Sequence, residues 1–291
     1  MNKVENSKDK RESLAKLLTS DVKKDLHIHT YYSDGKLSPQ QMVDRRIEEG
    51  YELMSITDHD GVDGSLIGSE YAKDKNITFV RGIEFDSTDP LASELHILGY
   101  GYDETVPEMN DALKSIRLER AKRNDRFMAE LNDMGYDISL DDVGAVNEGR
   151  YIGKPTFAVV LEQKGYLNNY HEAFETIFKD PRLSSIKKVT YATKDVIDVI
   201  HAAGGIAVLA HPMEQRKLNE SWEDFEPRLR KLLDRMVEYG IDGIECYHPS
   251  ANENQSAYLK KYADEHDLLI TKGSDFHTDF PKRDYSRFNR P

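Results

Sequence analysis

The sequence predicts an α/β fold built from parallel βα units. Seven short runs rich in Ile, Val or Leu are separated by segments long enough to form a helix. Continuous apolar strands that alternate with helices are typical of parallel sheets, because helices cover both faces of such a sheet. The predicted strands are residues 24–28, 53–57, 78–83, 95–100, 205–210, 243–247 and 268–272.

Helix-capping signals separate these strands. The segment Ser38-Pro39-Gln40-Gln41 offers a capping serine, a proline at the first helical position and a glutamine at the third. Gly50 then ends this helix before the next strand. Thr193 can begin a second helix, which ends at Ala203 before a Gly-Gly turn.

The alternation of strands and helices breaks off between residues 103 and 190. This stretch shows no strand pattern, and its helical patterns lie at 107–134, 154–164 and 170–179. We predict a helical insertion that acts as a lid or a substrate-recognition subdomain. Residues 21–102 and 191–291 then form the main domain, and residues 1–20 form a polar leader.

The composition is that of a globular protein with an excess of acidic residues. Its 291 residues include 40 Lys and Arg against 53 Asp and Glu, a formal charge of −13. This balance argues against a protein that coats long nucleic acid through a basic face. A small anionic substrate is compatible with it, because bound divalent cations reverse the local field.

Several features favour a cytoplasmic protein that binds no membrane. No apolar run approaches the roughly 20 residues needed to cross a bilayer. The charged N-terminus lacks the apolar core of a secretory signal. The single cysteine, Cys246, excludes an internal disulfide and a thiolate zinc site. Protein partners are not indicated by the sequence.

Metal-type side chains are concentrated at the ends of the predicted strands. His27 and His29 alternate in the first strand, so both imidazoles can reach one cation. In parallel α/β barrels the site is built at the carboxyl ends of several strands. His96 instead stands near the start of the fourth strand, which is expected to run against the others or to form a bulged edge. The remaining candidates are Asp34, His59, Glu84, His211, His248, Asp275 and His277.

Each of these residues has an ordinary structural alternative. A lone His-x-His can be a surface pair or a hydrogen-bonded core pair, and Asp34 beside a glycine resembles a turn residue. Unpaired buried polar groups at one edge of a sheet would, however, each carry a desolvation cost. A shared cluster of cations removes that cost for all of them, so the metal interpretation is preferred.

The motifs resemble those of the polymerase and histidinol phosphatase (PHP) family of metallophosphoesterases. The resemblance covers about residues 24–277, with the motifs in family order. Within the family, the insertion and the passage 203–212 are most like those of stand-alone enzymes that hydrolyse nucleoside 3′,5′-bisphosphates or short oligonucleotide ends. The matching motifs are His27-Ile28-His29, Ser33-Asp34-Gly35, Thr57-Asp58-His59, Gly82-Ile83-Glu84, Ala210-His211-Pro212 and Gly273-Ser274-Asp275-Phe276-His277.

The resemblance implies a distorted (β/α)7 barrel with an inserted helical subdomain. It also implies two or three divalent cations, and ligands that are all nitrogen and oxygen suit Mn, Fe or Zn. The implied ligand sets are His27, His29, Glu84 and Asp275 for a first cation, Glu84, His96 and His211 for a second, and Asp34, His59 and His277 for a third.

The implied activity is hydrolysis of nucleotide phosphate monoesters, with 3′,5′-bisphosphates favoured. The nucleophile would be a hydroxide that bridges two cations, since metal coordination lowers the pKa of water from about 16 to about 7. The sequence has no Gly-x-Ser-x-Gly nucleophile elbow. His248 and Asp275 are the candidate catalytic residues, with His248 as the acid for the leaving group or as a phosphate contact. A hydrogen-bonded structural histidine is the alternative for His248.

Other functions stay open at this stage. Histidinol-phosphate phosphatases and exonucleases on short oligonucleotides use the same chemistry, and a non-catalytic metal-stabilised module is a third alternative. The intact ligand set argues against the module. Related bisphosphate phosphatases carry Arg-Pro-His in the insertion, where this chain has Lys154-Pro155-Thr156. Lys154 keeps the positive charge but loses the bidentate geometry of arginine.

A basic segment interrupts the apolar face of the long predicted helix. Arg120 and Arg123 fall in the middle of this face, within a run of five basic residues. A solvated charged surface is the ordinary explanation, but two arginines in a core-facing row also suit a helix that binds an anionic substrate. The apolar positions are Met109, Leu113, Ile116, Phe127, Leu131 and Met134. The candidate substrate contacts are Arg120, Arg123, Lys154 and His248.

Replacement of Arg120 or Arg123 is expected to raise KM for phosphate esters more than it lowers kcat, because each side chain would bind substrate without taking part in bond cleavage. Steady-state kinetics of the two single variants would measure both constants. An unchanged KM in both variants would reject the assignment.

Overall fold

The computed structural model describes residues 2–147 and 152–278, with side chains from residue 9 onward. Its strands are β1 (Lys24–Asp25), β2 (Leu53–Met54), β3 (Thr78–Phe79), β4 (Gly82–Asp89), β5 (Ala92–Tyr100), β6 (Tyr191–Ala192), β7 (Ile206–Leu209), β8 (Gly243–Tyr247) and β9 (Leu269–Lys272). Its α-helices are α1 (Asn2–Thr19), α2 (Pro39–Glu48), α3 (Asp63–Ala72), α4 (Pro107–Asp133), α5 (Leu140–Asn147), α6 (Lys154–Gln163), α7 (His171–Glu175), α8 (Pro181–Ser184), α9 (Thr193–Ala202), α10 (Trp222–Glu238) and α11 (Glu253–Glu265). Short 3-10 helices span Ile177–Lys179 and Pro212–Gln215.

The strands form two sheets. The smaller sheet is parallel, in the order β1-β2-β3, and the larger has the order β6-β4-β5-β7-β8-β9. In the larger sheet β5 runs antiparallel to both β4 and β7, whereas β7, β8 and β9 are parallel. Isolated parallel bridges join Ile28 to Phe276 and His59 to Glu84, so the segments that follow β1 and β2 connect the smaller sheet to the larger one. The fold is α/β with mixed sheets, and the closed seven-stranded barrel stays a prediction.

The sequence located most strands but not their limits. The fourth predicted strand does run against its neighbours, as the early position of His96 indicated. The single strand predicted at 78–83 is wrong, because the chain forms β3 and then, after Val80 and Arg81, begins β4 in the other sheet. The strand β4 continues through polar residues to Asp89 because β5 pairs with it along this length.

The chain divides into two compact units. One contains residues up to Ala112 and from Tyr191 onward, and the other is Leu113–Thr190. Each unit has its own buried apolar residues. Those of the first unit include Leu26, Leu98, Val208, Ile28 and Met54. Those of the second include Phe127, Leu131, Phe157, Leu161 and Phe178.

The segment predicted as a polar leader forms α1. Leu18 is fully buried and Leu14 partly buried in the cluster that contains Leu26 and Leu53. This apolar contact attaches the helix to the rest of its unit. Across the described residues, every helix is too short or too polar to traverse a bilayer.

The start of α2 has the predicted capping box. Ser38 Oγ accepts a hydrogen bond from the Gln41 amide at 3.0 Å, and the Gln41 side chain accepts one from the Ser38 amide at 2.9 Å. Near the end of the helix, the buried Arg46 guanidinium lies 2.8 Å from the Asp25 carboxylate. The helix is therefore fixed against β1, immediately before His27.

The variant Ser38→Ala is expected to lower the free energy of unfolding by about 1 kcal/mol, because it leaves an amide at the helix N-terminus without its side-chain acceptor. Urea denaturation would measure the loss. Ser38→Thr keeps the acceptor and should retain most of the stability. An equal loss in both variants would contradict the role of the cap.

Candidate metal centre

The first two histidines lie just beyond the carboxyl end of β1. Both imidazoles are fully buried, and their Nε2 atoms are 3.1 Å apart. The intervening Ile28 is held by the Thr57 side chain and by its bridge to Phe276. The alternation of an extended chain therefore directs both rings to the same side, as the sequence predicted.

Glu84 occupies the centre of the cluster. It lies in β4 with 1% of its side chain exposed. The His59 bridge fixes its backbone, and the pairing of β4 with β5 brings His96 alongside it. Its carboxylate oxygens lie within 3.3 Å of imidazole nitrogens from His27, His29, His59, His96 and His211.

Two aspartates complete the cluster. Asp275 lies in the segment that follows β9, and Asp34 lies in the loop between β1 and α2. Asp275 Oδ1 is 3.2 Å from His29 Nε2 and 3.6 Å from His27 Nε2. Asp34 Oδ1 is 3.1 Å from His277 Nε2, and the His277 ring stacks on the His29 ring with centroids 4.1 Å apart. Asp34 is the most solvent-exposed of these residues, with 38% of its side chain accessible.

The structure brings all nine predicted ligands together. They fall into four overlapping sets whose ligand atoms lie within 4.8 Å of one another. The sets are His29, Asp34, His59 and His277; His27, Glu84 and His211; His27, His29 and Asp275; and His59, Glu84 and His96. His29 and His59 thus each belong to two sets, so the division of ligands among individual cations stays a prediction.

Two of these residues have an unusual backbone. His211 has φ 25° and Asp275 has φ 49°, both in the left-handed region that side chains with a Cβ rarely adopt. Such conformations persist where surrounding contacts fix them, and they concentrate at functional sites. Both residues lie at turns where the chain leaves a strand of the larger sheet, and this conformation accompanies their inward-facing side chains.

Carboxylates and imidazoles in the cluster shift one another's protonation. Burial lowers the pKa of His29, but Asp275 and Glu84 outweigh burial and raise it to about 10. Burial also opposes protonation of His96, where Glu84 nevertheless raises the pKa to about 9. In return, the histidines hold the pKa values of Glu84 and Asp275 well below their usual range, although burial alone would raise them.

The chemistry of the donor atoms fits divalent cations. Among the described residues, the buried His96 Nε2 and His211 Nδ1 make no hydrogen bond. His27 Nε2 and His29 Nε2 face each other at 3.1 Å, a distance at which a proton or a cation must lie between the two lone pairs. Imidazole and carboxylate donors that converge in a buried site suit Mn, Fe or Zn.

Three carboxylates that were not predicted from the sequence also reach the cluster. Glu245 lies 3.1 Å from His27 Nδ1, and Asp86 Oδ1 lies 2.8 Å from His59 Nδ1. Glu214 shares a possible ligand set with His248 and Asp275. The sequence offers a signal for Glu245, which is the single charged residue in the otherwise apolar run 243–246.

The predicted catalytic residue His248 lies at the edge of the cluster. Its Nε2 is 3.5 Å from Asp275 Oδ2, and its ring centroid is 5.2 Å from that of His211. Its Nδ1 accepts a hydrogen bond from the Ser250 amide at 3.0 Å. This bond fixes the ring and leaves Nε2 as the atom directed at the cluster.

The other predicted substrate contacts belong to the second unit. Arg120 and Arg123 are half-buried in α4, and Arg123 donates a hydrogen bond to Asn124 at 2.7 Å. Burial, together with Arg123 and Lys187, lowers the pKa of Lys154. Thr156 accepts a hydrogen bond from the Gly153 amide and so caps α6. The roles of Arg120, Arg123 and Lys154 in substrate binding stay predictions.

Comparisons with known proteins identify the family of this chain. Residues 25–248 match the PHP domain. The chain is 32% identical over 255 residues to a 5′-3′ exoribonuclease of Haemophilus influenzae, which covers 88% of this chain and 90% of that protein. It is 28% identical over 256 residues to a 3′,5′-nucleoside bisphosphate phosphatase of Chromobacterium violaceum, with 87% and 86% covered.

A solved structure gives the same assignment. A protein from Bifidobacterium adolescentis, described as a metal-dependent phosphoesterase, superposes with a TM-score of 0.74 at 29% identity. The match covers 91% of both chains. Because the PHP domain spans more than half of the sequence, and because its relatives share one chemistry, the chain belongs to the PHP family and is a metal-dependent phosphoesterase.

Proposed function

We propose that the chain hydrolyses phosphate monoesters of small nucleotides, with nucleoside 3′,5′-bisphosphates as the favoured substrates. The observation that carries this proposal is the buried cluster around Glu84, which gathers imidazoles and carboxylates from both sheets. The similarity to the Chromobacterium violaceum bisphosphate phosphatase supports the substrate class.

The proposed cation ligands are the nine residues of the four sets. Bound cations would lower the pKa of water and neutralise the charge of phosphate oxygens. The protein residues would hold those cations in a buried, fixed geometry, with Glu84 in contact with histidines of all four sets. We propose two catalytic residues at the edge of the cluster, Asp275 and His248.

His248 is proposed to protonate the leaving oxygen or to bind a phosphate oxygen. The Ser250 amide bonds to its Nδ1, so only Nε2 is presented to a substrate. Asp275 Oδ2 lies 3.5 Å from this Nε2 and can orient the ring. A proton donor must lie within hydrogen-bond reach of the leaving group, and this ring is next to the proposed cation ligands.

A second candidate function is 5′-3′ exoribonuclease activity. The Haemophilus influenzae relative named for that activity has 32% identity over most of both chains. The formal charge of −13 does not favour binding of long nucleic acid, but an exonuclease needs to bind only a chain end. The two functions would use the same hydrolytic site. They differ in the group attached to the scissile phosphate, which is a single nucleoside in one case and an RNA chain in the other.

Cations and protons compete for the same imidazoles. His29 and His96 have raised pKa values in the absence of cations, about 10 and about 9. A histidine pKa raised by folding stabilises the protein below the unfolded value of about 6.5, and this stabilisation is lost as the pH rises through the folded value. Cations bind the neutral rings, so their binding displaces protons across this pH range.

A phosphate-release screen on the manganese-loaded protein tests the substrate assignment. The panel contains adenosine 3′,5′-bisphosphate, mononucleotides, 5′-phosphorylated oligoribonucleotides, sugar phosphates and histidinol phosphate. The bisphosphate is expected to give the highest kcat/KM. Glu84→Gln is expected to lower it by at least about 100-fold, because the charge that holds several ligands is lost.

Glu104 provides a matched control for this variant, because it pairs with Arg81 outside the cluster. Glu104→Gln should retain the wild-type rate. A higher kcat/KM on oligoribonucleotides than on the bisphosphate would favour the exonuclease. Full activity after exhaustive chelation would contradict both functions.

The metal-free protein is expected to lose stability as the pH rises from about 6.5 to about 10, because the protonated imidazoles are then neutralised next to Glu84. The manganese-loaded protein should lose less. Urea denaturation at several pH values would measure the difference, and calorimetry in two buffers should show proton release on manganese binding. A flat profile for the chelated protein, with no proton release, would contradict the raised pKa values.

A further inference from the structure

Glu245 contacts the metal centre from behind. It lies in the middle of β8, and its side chain is 1% exposed. We propose that Glu245 is a positioning residue that orients two cation ligands at once, His27 and His211, and thereby sets the affinity of the centre for cations. This inference rests on the proposed metal centre but does not depend on the identity of the substrate.

The first contact of Glu245 sets the tautomer of His27. The carboxylate oxygens lie 3.1 and 3.3 Å from His27 Nδ1. A carboxylate can only accept at this position, so Nδ1 carries a hydrogen. In the neutral ring that binds a cation, the lone pair is then on Nε2. That Nε2 faces Glu84 at 3.3 Å and His29 at 3.1 Å. A carboxylate behind a ligating histidine also raises the basicity of the ring.

The second contact fixes the backbone of His211. Glu245 Oε2 accepts a hydrogen bond from the His211 amide at 2.9 Å. This amide belongs to a residue with φ 25°, a conformation that requires support from its surroundings. The ring that it carries points Nε2 at Glu84 Oε1, 3.0 Å away. One carboxylate thus connects ligands that follow β1 and β7.

The space around Glu245 is matched to this arrangement. A Cβ added to Gly273 would lie 2.6 Å from Glu245 Oε1 and 2.2 Å from His27 Cβ. Any side chain at position 273 would therefore displace the carboxylate, the imidazole or both. Gly273 follows β9 directly, so β9 can pass behind the His27–Glu245 pair only because this residue lacks a side chain.

Asp242, just before β8, makes the same pair of contacts away from the metal centre. Its Oδ2 accepts a hydrogen bond from the Ala207 amide at 2.8 Å and lies 2.8 Å from His201 Nε2. It therefore also connects a histidine and a backbone amide, but neither belongs to a predicted ligand set. This residue is the control for a general structural effect.

The test measures Co²⁺ binding to the chelated full-length protein. In Glu245→Gln, the amide nitrogen replaces one carboxylate oxygen and faces the N–H of His27 or of His211, so one contact becomes a repulsion between two donors. The apparent affinity for Co²⁺ is expected to fall about 10- to 100-fold, with a change in the visible absorption spectrum of the bound ion. Asp242→Asn should leave affinity and spectrum unchanged even where it lowers the unfolding midpoint.

Gly273→Ala supplies a second variant that keeps the carboxylate but displaces it, and it should weaken Co²⁺ binding as well. Circular dichroism confirms the fold of each variant before titration. Wild-type Co²⁺ affinity and spectrum in folded Glu245→Gln would overturn the proposal, and so would an equal loss in Asp242→Asn. Normal Co²⁺ binding by a wild-type protein that cleaves no nucleotide would instead reject the proposed substrate alone.

Discussion

The carboxylate of Glu84 is buried and lies within 3.3 Å of imidazole nitrogens from five histidines. An isolated carboxylate in such a place would be strongly unfavourable, so the site requires positive charge from protons or from cations. The strands around it satisfy this requirement from both sheets, since His27 and His59 follow the smaller sheet and His96 lies in the larger one. Folding and cation binding are therefore coupled through one charge balance.

Most of the candidate ligands could be recognised because each lies in a local sequence pattern. Alternation alone directs His27 and His29 to one side, and the strand-end rule places His211 and Asp275. The contacts of Glu245 could not be predicted, because they depend on how β8 aligns with segments more than 30 residues away. The role of Asp86 could not be predicted for a similar reason, since its position opposite His96 follows from the register of β4 and β5.

The long helix shows where local pattern suffices and where it fails. Five of its six predicted apolar positions are buried, with Met109, Phe127 and Leu131 at 1% exposure or less, whereas Met134 follows the end of the helix and is half-buried. Arg120 and Arg123 are half-buried on the same helix, and a sequence pattern alone does not state what a half-buried guanidinium binds. Candidate metal ligands near the strand ends are thus easier to predict from the sequence than candidate substrate contacts in the second unit.

The left-handed backbone at His211 and Asp275 has an evolutionary consequence. Glycine adopts this conformation without strain, whereas histidine and aspartate adopt it at a cost that contacts of their side chains can offset. In a lineage that no longer needs the activity, replacement of both residues by glycine would relieve the backbone and remove one candidate ligand at each turn. Glu84 would then lose its contact with His211, so the relief of the backbone would be offset by a less compensated buried charge.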